Sequence, residues 1–230
     1  MQRQQAINAL LTMMLVVLLS CAGIALPYPI LAPLFLNEVS PLTTFGGIHP
    51  KLLLGMLLAV YPLGVLIGSS VIGAASDVYG RKKVLIISLF GSMLGYLLSA
   101  YALVSENYPL FFITRFFTGL CEGNISIAKA VAIDLSKTLD KTRSFSLINA
   151  TTYAGWLIGP LAGGFLQPFG AEIVFYVAAF SLALACLCVF LFLNHEPTKT
   201  NNDKFSWYQL IVQKNSLGLL KVPSIKRLLI

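Results

Sequence analysis

Six apolar runs, each long enough to cross a bilayer, take up most of this 230-residue chain. About 30 Å of hydrocarbon needs roughly 20 helical residues at about 1.5 Å each. Residues 6–36, 52–75, 84–104, 109–135, 145–166 and 173–194 all meet that length. The expected fold class is an all-α membrane protein with six transmembrane helices. Composition agrees, at 57% hydrophobic and 11% charged. A soluble domain carries about 25% charged residues, so these few charges could neither cover a water-soluble surface nor keep the chain disordered. The first run is too long for a secretory signal and lacks a small-residue cleavage site, so it reads as a retained span.

Orientation follows from Lys and Arg, which collect in cytoplasmic loops. The N-terminus (Arg3), the loop after the second run (Arg81, Lys82, Lys83), the loop after the fourth (Lys137, Lys141, Arg143) and the tail (Lys199, Lys204, Lys214, Lys221, Lys226, Arg227) hold 13 of the 16. The opposite loops hold Lys51 alone, while Arg115 and Lys129 lie within a span. Both ends are therefore expected in the cytoplasm. The net charge of +7 is a topology signal, so the expected partner is the lipid bilayer and not nucleic acid. Cys21, Cys121, Cys186 and Cys188 fall within spans, and His49 and His195 at span ends. That spacing suits neither a disulfide framework nor a metal site, and no cofactor is expected.

A glycine pattern repeats. Gly64, Gly68 and Gly73 in the second run recur as Gly155, Gly159 and Gly164 in the fifth, 91 residues later throughout. The offset equals three spans, an odd number, so the copies run in opposite directions through the membrane. The expectation is two inverted three-helix repeats, a recurrent plan of secondary transporters. The alternative is that glycines gather wherever membrane helices pack closely.

The fourth run carries Arg115, Glu122 and Lys129, although a charge near the bilayer centre costs about 2.5–3.5 kcal/mol. At seven-residue spacing the three share one face of a continuous helix, about 10.5 Å apart along its axis. A polar central cavity, with Asn124 and Ser126 beside it, accounts for the stripe better than lipid contact. Pairing with other helices for packing alone is the competing explanation. Glu122 is the only mid-membrane carboxylate, which makes it the candidate proton carrier. Tyr28, Tyr61, Tyr96, Tyr153 and Trp156 are candidates for aromatic cavity walls. No histidine lies mid-span, and neither a Gly-x-Ser-Gly nor a zinc-protease motif occurs, so no enzyme is expected.

The tail breaks the apolar pattern. Residues 1–195 read as the six-helix bundle and 196–222 as a cytoplasmic linker, with a candidate amphipathic helix at 205–220. Residues 223–230 read as the start of a seventh span.

The loop after the second run, Gly73-Ala-Ala-Ser-Asp77-Val-Tyr-Gly80-Arg81-Lys82-Lys83, resembles the signature between helices two and three of the major facilitator superfamily. Two further matches follow in order. Arg115-Phe-Phe-Thr-Gly119 is similar to that superfamily's fourth-helix motif. Gly155-x-x-x-Gly159-Pro160-x-x-Gly163-Gly164 is similar to the fifth-helix motif of its proton-coupled antiporters. The tetracycline-exporter type is the nearest subgroup. The resemblance implies an N-terminal six-helix half, a missing C-terminal half opposite the charged stripe, and a bacterial cytoplasmic (inner) membrane location. It implies secondary transport of a small organic solute, as proton-coupled efflux (antiport). Gly73, Asp77, Gly80, Arg81 and Lys82, joined by Asp134, are then a cytoplasmic gate. Gly73 is expected to allow close helix contact, and Gly80 an unusual backbone angle.

One departure stands out: exporters of that type carry an acid in the first helix, where Ser20 stands here. Arg115 and Lys129 would suit an anionic substrate, which leaves proton-coupled uptake of an anionic metabolite or siderophore as the alternative. A non-transporting membrane scaffold is the reading of another class.

Overall fold

The computed structural model describes residues 3–37 and 39–193. The linker and seventh-span expectations, at 196–222 and 223–230, lie outside the described residues. Eight helices build six spans: α1 (Arg3–Ala25) with α2 (Tyr28–Asn37), α3 (Pro50–Tyr79), α4 (Arg81–Val104), α5 (Tyr108–Cys121) with α6 (Asn124–Asp134), α7 (Lys141–Leu166) and α8 (Ala171–Phe192). Five of these spans are long and apolar enough to cross a membrane. The remaining one, α7, has the length at 26 residues, but Asn149, Thr151, Thr152 and its glycines dilute its apolar character.

Starts and stops have local causes. Pro50 and Pro109 occupy the first turns of α3 and α5, where a missing N–H costs nothing. Asn107 caps α5 by accepting from the Leu110 amide at 3.0 Å. Asp140 caps α7 by accepting from the Arg143 amide at 2.7 Å, so α7 begins four residues before the apolar run does. Gly80 turns α3 into α4 at φ 95°, a region closed to most side chains.

Two runs expected to be continuous are broken. The first is interrupted at Leu26 and Pro27, since proline has no amide to donate and its ring clashes with the preceding turn. The fourth is interrupted at Glu122 (φ −84°, ψ 79°) and Gly123. The spans thus broken are the first members of the two proposed repeats.

Packing follows the same symmetry. The first span packs on the fifth as the fourth packs on the second, and the first packs on the sixth as the fourth packs on the third. The third and sixth, α4 and α8, pack on each other along the molecule's most extensive seam. Exchanging the two three-helix units leaves this list unchanged.

The glycines carry the symmetry to atomic detail. A Cβ on Gly64 would meet Phe116 O at 2.5 Å and Leu120 N at 3.0 Å. A Cβ on Gly155 would meet Leu18 O at 2.9 Å and Ala22 N at 3.1 Å, the same backbone atoms 98 residues earlier. Gly68 opposes Leu120 O, and Gly159 opposes Ala22 O. Two members of the pattern depart from it. Gly73 only reaches ordinary contact, 3.5 Å from Ser126 Oγ, and Gly164 faces open space. The close approach expected of Gly73 therefore belongs to Gly64 and Gly68, higher on the same helix.

Candidate functional site

Arg115 lies on the inner face of α5, 4% exposed. Its Nε and Nη2 donate to Ser99 Oγ at 3.2 and 3.1 Å. The guanidinium carbon lies 4.7 Å from the ring centroids of both Tyr96 and Phe175, with Tyr61 at 5.5 Å and Phe111 at 6.0 Å. Those faces carry the negative part of the aromatic quadrupole, which favours a cation by about 0.5–2 kcal/mol per contact as water is excluded. The cage draws on α3, α4, α5 and α8. A crevice of about 20 Å³, room for one water, opens beside Arg115, Tyr28, Tyr61 and Pro27.

Glu122 occupies the break between α5 and α6 and is 5% exposed. One carboxylate oxygen, Oε2, accepts from Asn124 Nδ2 at 3.1 Å, while Oε1 has no protein partner. Asn124 is the hub of this centre. Its Nδ2 also donates to Ser20 Oγ on α1 at 3.0 Å, and its Oδ1 accepts from Ser88 Oγ on α4 at 2.8 Å. Helix-competing residues explain the break: Gly123 costs about 1 kcal/mol relative to alanine in a helix. A side chain there would also collide with Ile72 of α3.

This geometry corrects two expectations. Arg115, Glu122 and Lys129 do not share one face of a continuous helix, because the interruption at Glu122 and Gly123 resets the register. Lys129 is half-buried on α6, beyond the break. Nor does an open polar face present Arg115 and Glu122 outward. Helices α3, α4 and α8 close over them, and the aromatic rings exclude water. Neither forms a salt bridge among the described residues.

The loop motif builds a second centre at the basic end of the bundle. Arg81 pairs with Asp77 within the turn, and its Nε donates to Asp134 Oδ2 at 3.1 Å. Its Nη1 donates to Ser76 Oγ at 2.6 Å. Both acids lie in the last turns of their helices, α3 and α6, where the dipole disfavours a carboxylate. One arginine offsets both. Lys82 is elsewhere: its Nζ donates to Phe190 O near the C-terminus of α8 at 2.8 Å, and the ammonium lies over the Phe190 ring. Along α7, Gly155, Gly159 and Gly163 seat the helix against α1, with Pro160 between them and Gly164 facing away.

Sequence reasoning missed the serines. Ser88, Ser92 and Ser99 recur at intervals of four and seven along α4, and all are buried. That periodic polar face opposite the fourth span was a legible signal. Of the aromatic candidates, Tyr61 and Tyr96 are buried at the centre, whereas Tyr153 and Trp156 are exposed.

Two broken spans at matching repeat positions, around a buried guanidinium and carboxylate, define the architecture of secondary transporters. The sequence profile of the Major Facilitator Superfamily matches residues 13–228, and the chain belongs to that superfamily of transporters. It is 30% identical over 185 residues to the class H tetracycline resistance protein of Pasteurella multocida, covering 80% of this chain and 44% of that protein. The class B protein of Escherichia coli is 28% identical over 217 residues, covering 94% of this chain and 52% of its own. The quinolone resistance protein NorA of Staphylococcus aureus is 26% identical, covering 80% and 44%. The chain thus spans about half the length of the curated relatives it matches. The solved human organic anion transporter MFSD10 superposes with a TM-score of 0.75 at 21% identity, over 94% of this chain and 55% of that one. That likeness is one of fold.

Proposed function

We propose that this chain is the N-terminal half of a proton-coupled exporter, which moves a small organic solute outward by alternating access. Glu122 carries the proton. The observation behind this is a buried carboxylate with one oxygen unpartnered, at a helix break, near a caged arginine. Such a group exchanges a proton with little rearrangement of its surroundings. Resistance to tetracycline and quinolone in the relatives' names supports the outward direction.

The Asp77–Arg81–Asp134 cluster is the cytoplasmic gate in this scheme. It joins the ends of α3 and α6, so parting those ends requires breaking it. The basic end, with both termini, faces the cytoplasm of a bacterial inner membrane. A second six-helix half completes the substrate path. Uptake of an anionic metabolite or siderophore would need a cationic pair free to meet the substrate. Arg115 is instead taken up by Ser99 and four rings, which favours efflux. A non-transporting scaffold would gain nothing from a buried carboxylate held at a break.

The test is Glu122→Gln in the full protein, in everted vesicles carrying a pH gradient. Wild type should dissipate the gradient when a tetracycline or fluoroquinolone is added, and the variant should not. Equal gradient-driven transport by both, with the same pH dependence, removes Glu122 as the carrier.

A further inference from the structure

Four polar atoms in the bundle centre are buried without a protein partner: Oε1 of Glu122, Oγ of Ser92 and the hydroxyls of Tyr61 and Tyr96. Their residues are 5%, 0%, 6% and 0% exposed. Native interiors leave very few polar groups unsatisfied, and an orphan is most often met by an internal water. Four at one place make a site. Ser92 and Tyr96 are one turn apart on α4 and so project together. Ser92 lies against Glu122, and Tyr61 against Tyr96. Three helices therefore aim acceptors and donors into one dry pocket.

Tyr61 belongs to two places. It helps form this pocket, and it also lines the one-water crevice beside Arg115, Tyr28 and Pro27. Among the described residues, the ionisable groups facing Glu122 are Arg115 and Cys121 of its own span, Tyr61 of α3, Tyr96 of α4 and Cys21 of α1. The only fixed charge in that set is Arg115, whose guanidinium is turned into its cage. A second carboxylate that would hold a metal ion is absent from it, and no metal-ligand cluster occurs among the described residues.

We propose that Tyr61, Tyr96, Ser92 and Glu122 enclose bound water, and that this hydrated pocket relays protons between the Arg115 crevice and Glu122. The inference rests on Glu122 being the proton carrier. A protonated water in the crevice gives a proton to the Tyr61 hydroxyl oxygen, which releases its own to the pocket water. That water passes one of its protons to Oε1 of Glu122. Tyr61 and the water each end with the protons they began with, so one proton has moved and no bond has otherwise changed. Tyr96 and Ser92 hold the water in line by donating to it or accepting from it.

Time-resolved infrared spectroscopy on the full protein in proteoliposomes tests this, following the Glu122 carboxyl band after a pH jump. The band is assigned by its loss in Glu122→Gln. Tyr61→Phe keeps the ring over Arg115 and removes only the hydroxyl. It should slow protonation on the order of tenfold while the final band amplitude stays at wild-type height. A bound-water O–H band, shifted in oxygen-18 water, should change in Ser92→Ala and Tyr96→Phe. Protonation at the wild-type rate in Tyr61→Phe overturns the relay and leaves Glu122 as carrier. A carboxyl band that never titrates in wild type overturns both. A band that responds to sodium at constant pH would make the pocket a cation site and also overturns the relay.

Discussion

Replacing Gly159 by alanine should separate the first and fifth spans. Its Cβ would lie 2.6 Å from both Ala22 O and Ala25 Cβ. Ordinary contact begins near 3.5 Å, so α7 must retreat by about 1 Å, because the obstacle includes backbone and cannot rotate away. A radial gap of that size forfeits about a quarter to a half of each dispersion contact, each worth about 0.1–0.2 kcal/mol. With some tens of atom pairs along the α1–α7 seam, the loss is about 1–3 kcal/mol, the usual range for overpacking. Gly68→Ala should cost as much, since it meets Leu120 O, the repeat-equivalent atom. Gly164→Ala is the control: nothing lies within 4 Å of its Cβ, and alanine is the better helix former. Unfolding in mixed micelles, followed by circular dichroism against denaturing detergent, measures all three. Equal stability of Gly159→Ala and Gly164→Ala would refute the claim that backbone contact at glycine sets this seam.

The remaining predictions concern the two polar centres. Asp134→Asn should destabilise more than Asp77→Asn, by about 1–3 kcal/mol against a few tenths, because the Asp77 side chain is 58% exposed and that of Asp134 only 22%; a reversed order in thermal melts would refute this. Both variants should raise cysteine labelling at the basic ends of α3 and α6 if the cluster latches a gate, and unchanged labelling with unchanged transport would reject that role. Arg115→Lys should lower thermal stability although charge is kept, since an ammonium cannot stack flat between Tyr96 and Phe175; a wild-type melt would count against the cage. Asn124→Ala should cost about 1–3 kcal/mol by stranding Ser20, Ser88 and one oxygen of Glu122, and a neutral result in the same melt would deny it the role of hub.

Much of the bundle was legible because the governing quantities are one-dimensional. Span length, loop charge and the 91-residue glycine offset are read along the chain without knowing what packs where. The gate acids were legible for the same reason, as a turn motif brings Asp77 and Arg81 together locally. The centre was not. Arg115, Glu122 and Lys129 at seven-residue spacing describe a face only if the helix is unbroken, and Glu122 itself sits where it breaks. Gly123-Asn124 was the visible warning, since both residues disfavour helix interiors. Whether the stripe faced a cavity or a core depended on α4 and α8 closing over it, a tertiary fact. The serine face of α4 and the rings of Tyr61, Tyr96, Phe111 and Phe175 carry that information jointly, and none carries it alone.

The departure at Ser20 acquires a physical sense at this centre. Exporters of the tetracycline type, which this chain resembles, place an acid on the first span where Ser20 stands here. Ser20 Oγ accepts from Asn124 Nδ2, and that same nitrogen donates to Glu122 Oε2. The carboxylate is thus one amide bridge away from the first-span position, on the broken fourth span that the inverted repeat matches to the first. An acid at either position meets the same bundle interior, because the two breaks lie at matching repeat positions. Moving the charge from one to the other changes which helix carries the proton and leaves it in the same desolvated centre. Ser20→Asp together with Glu122→Gln therefore tests whether the centre or the particular helix matters. Restored proton-coupled transport in the double variant, absent in Glu122→Gln alone, is the expected outcome. Failure of the double variant to transport, in a protein that melts like wild type, would tie coupling to the fourth-span break itself.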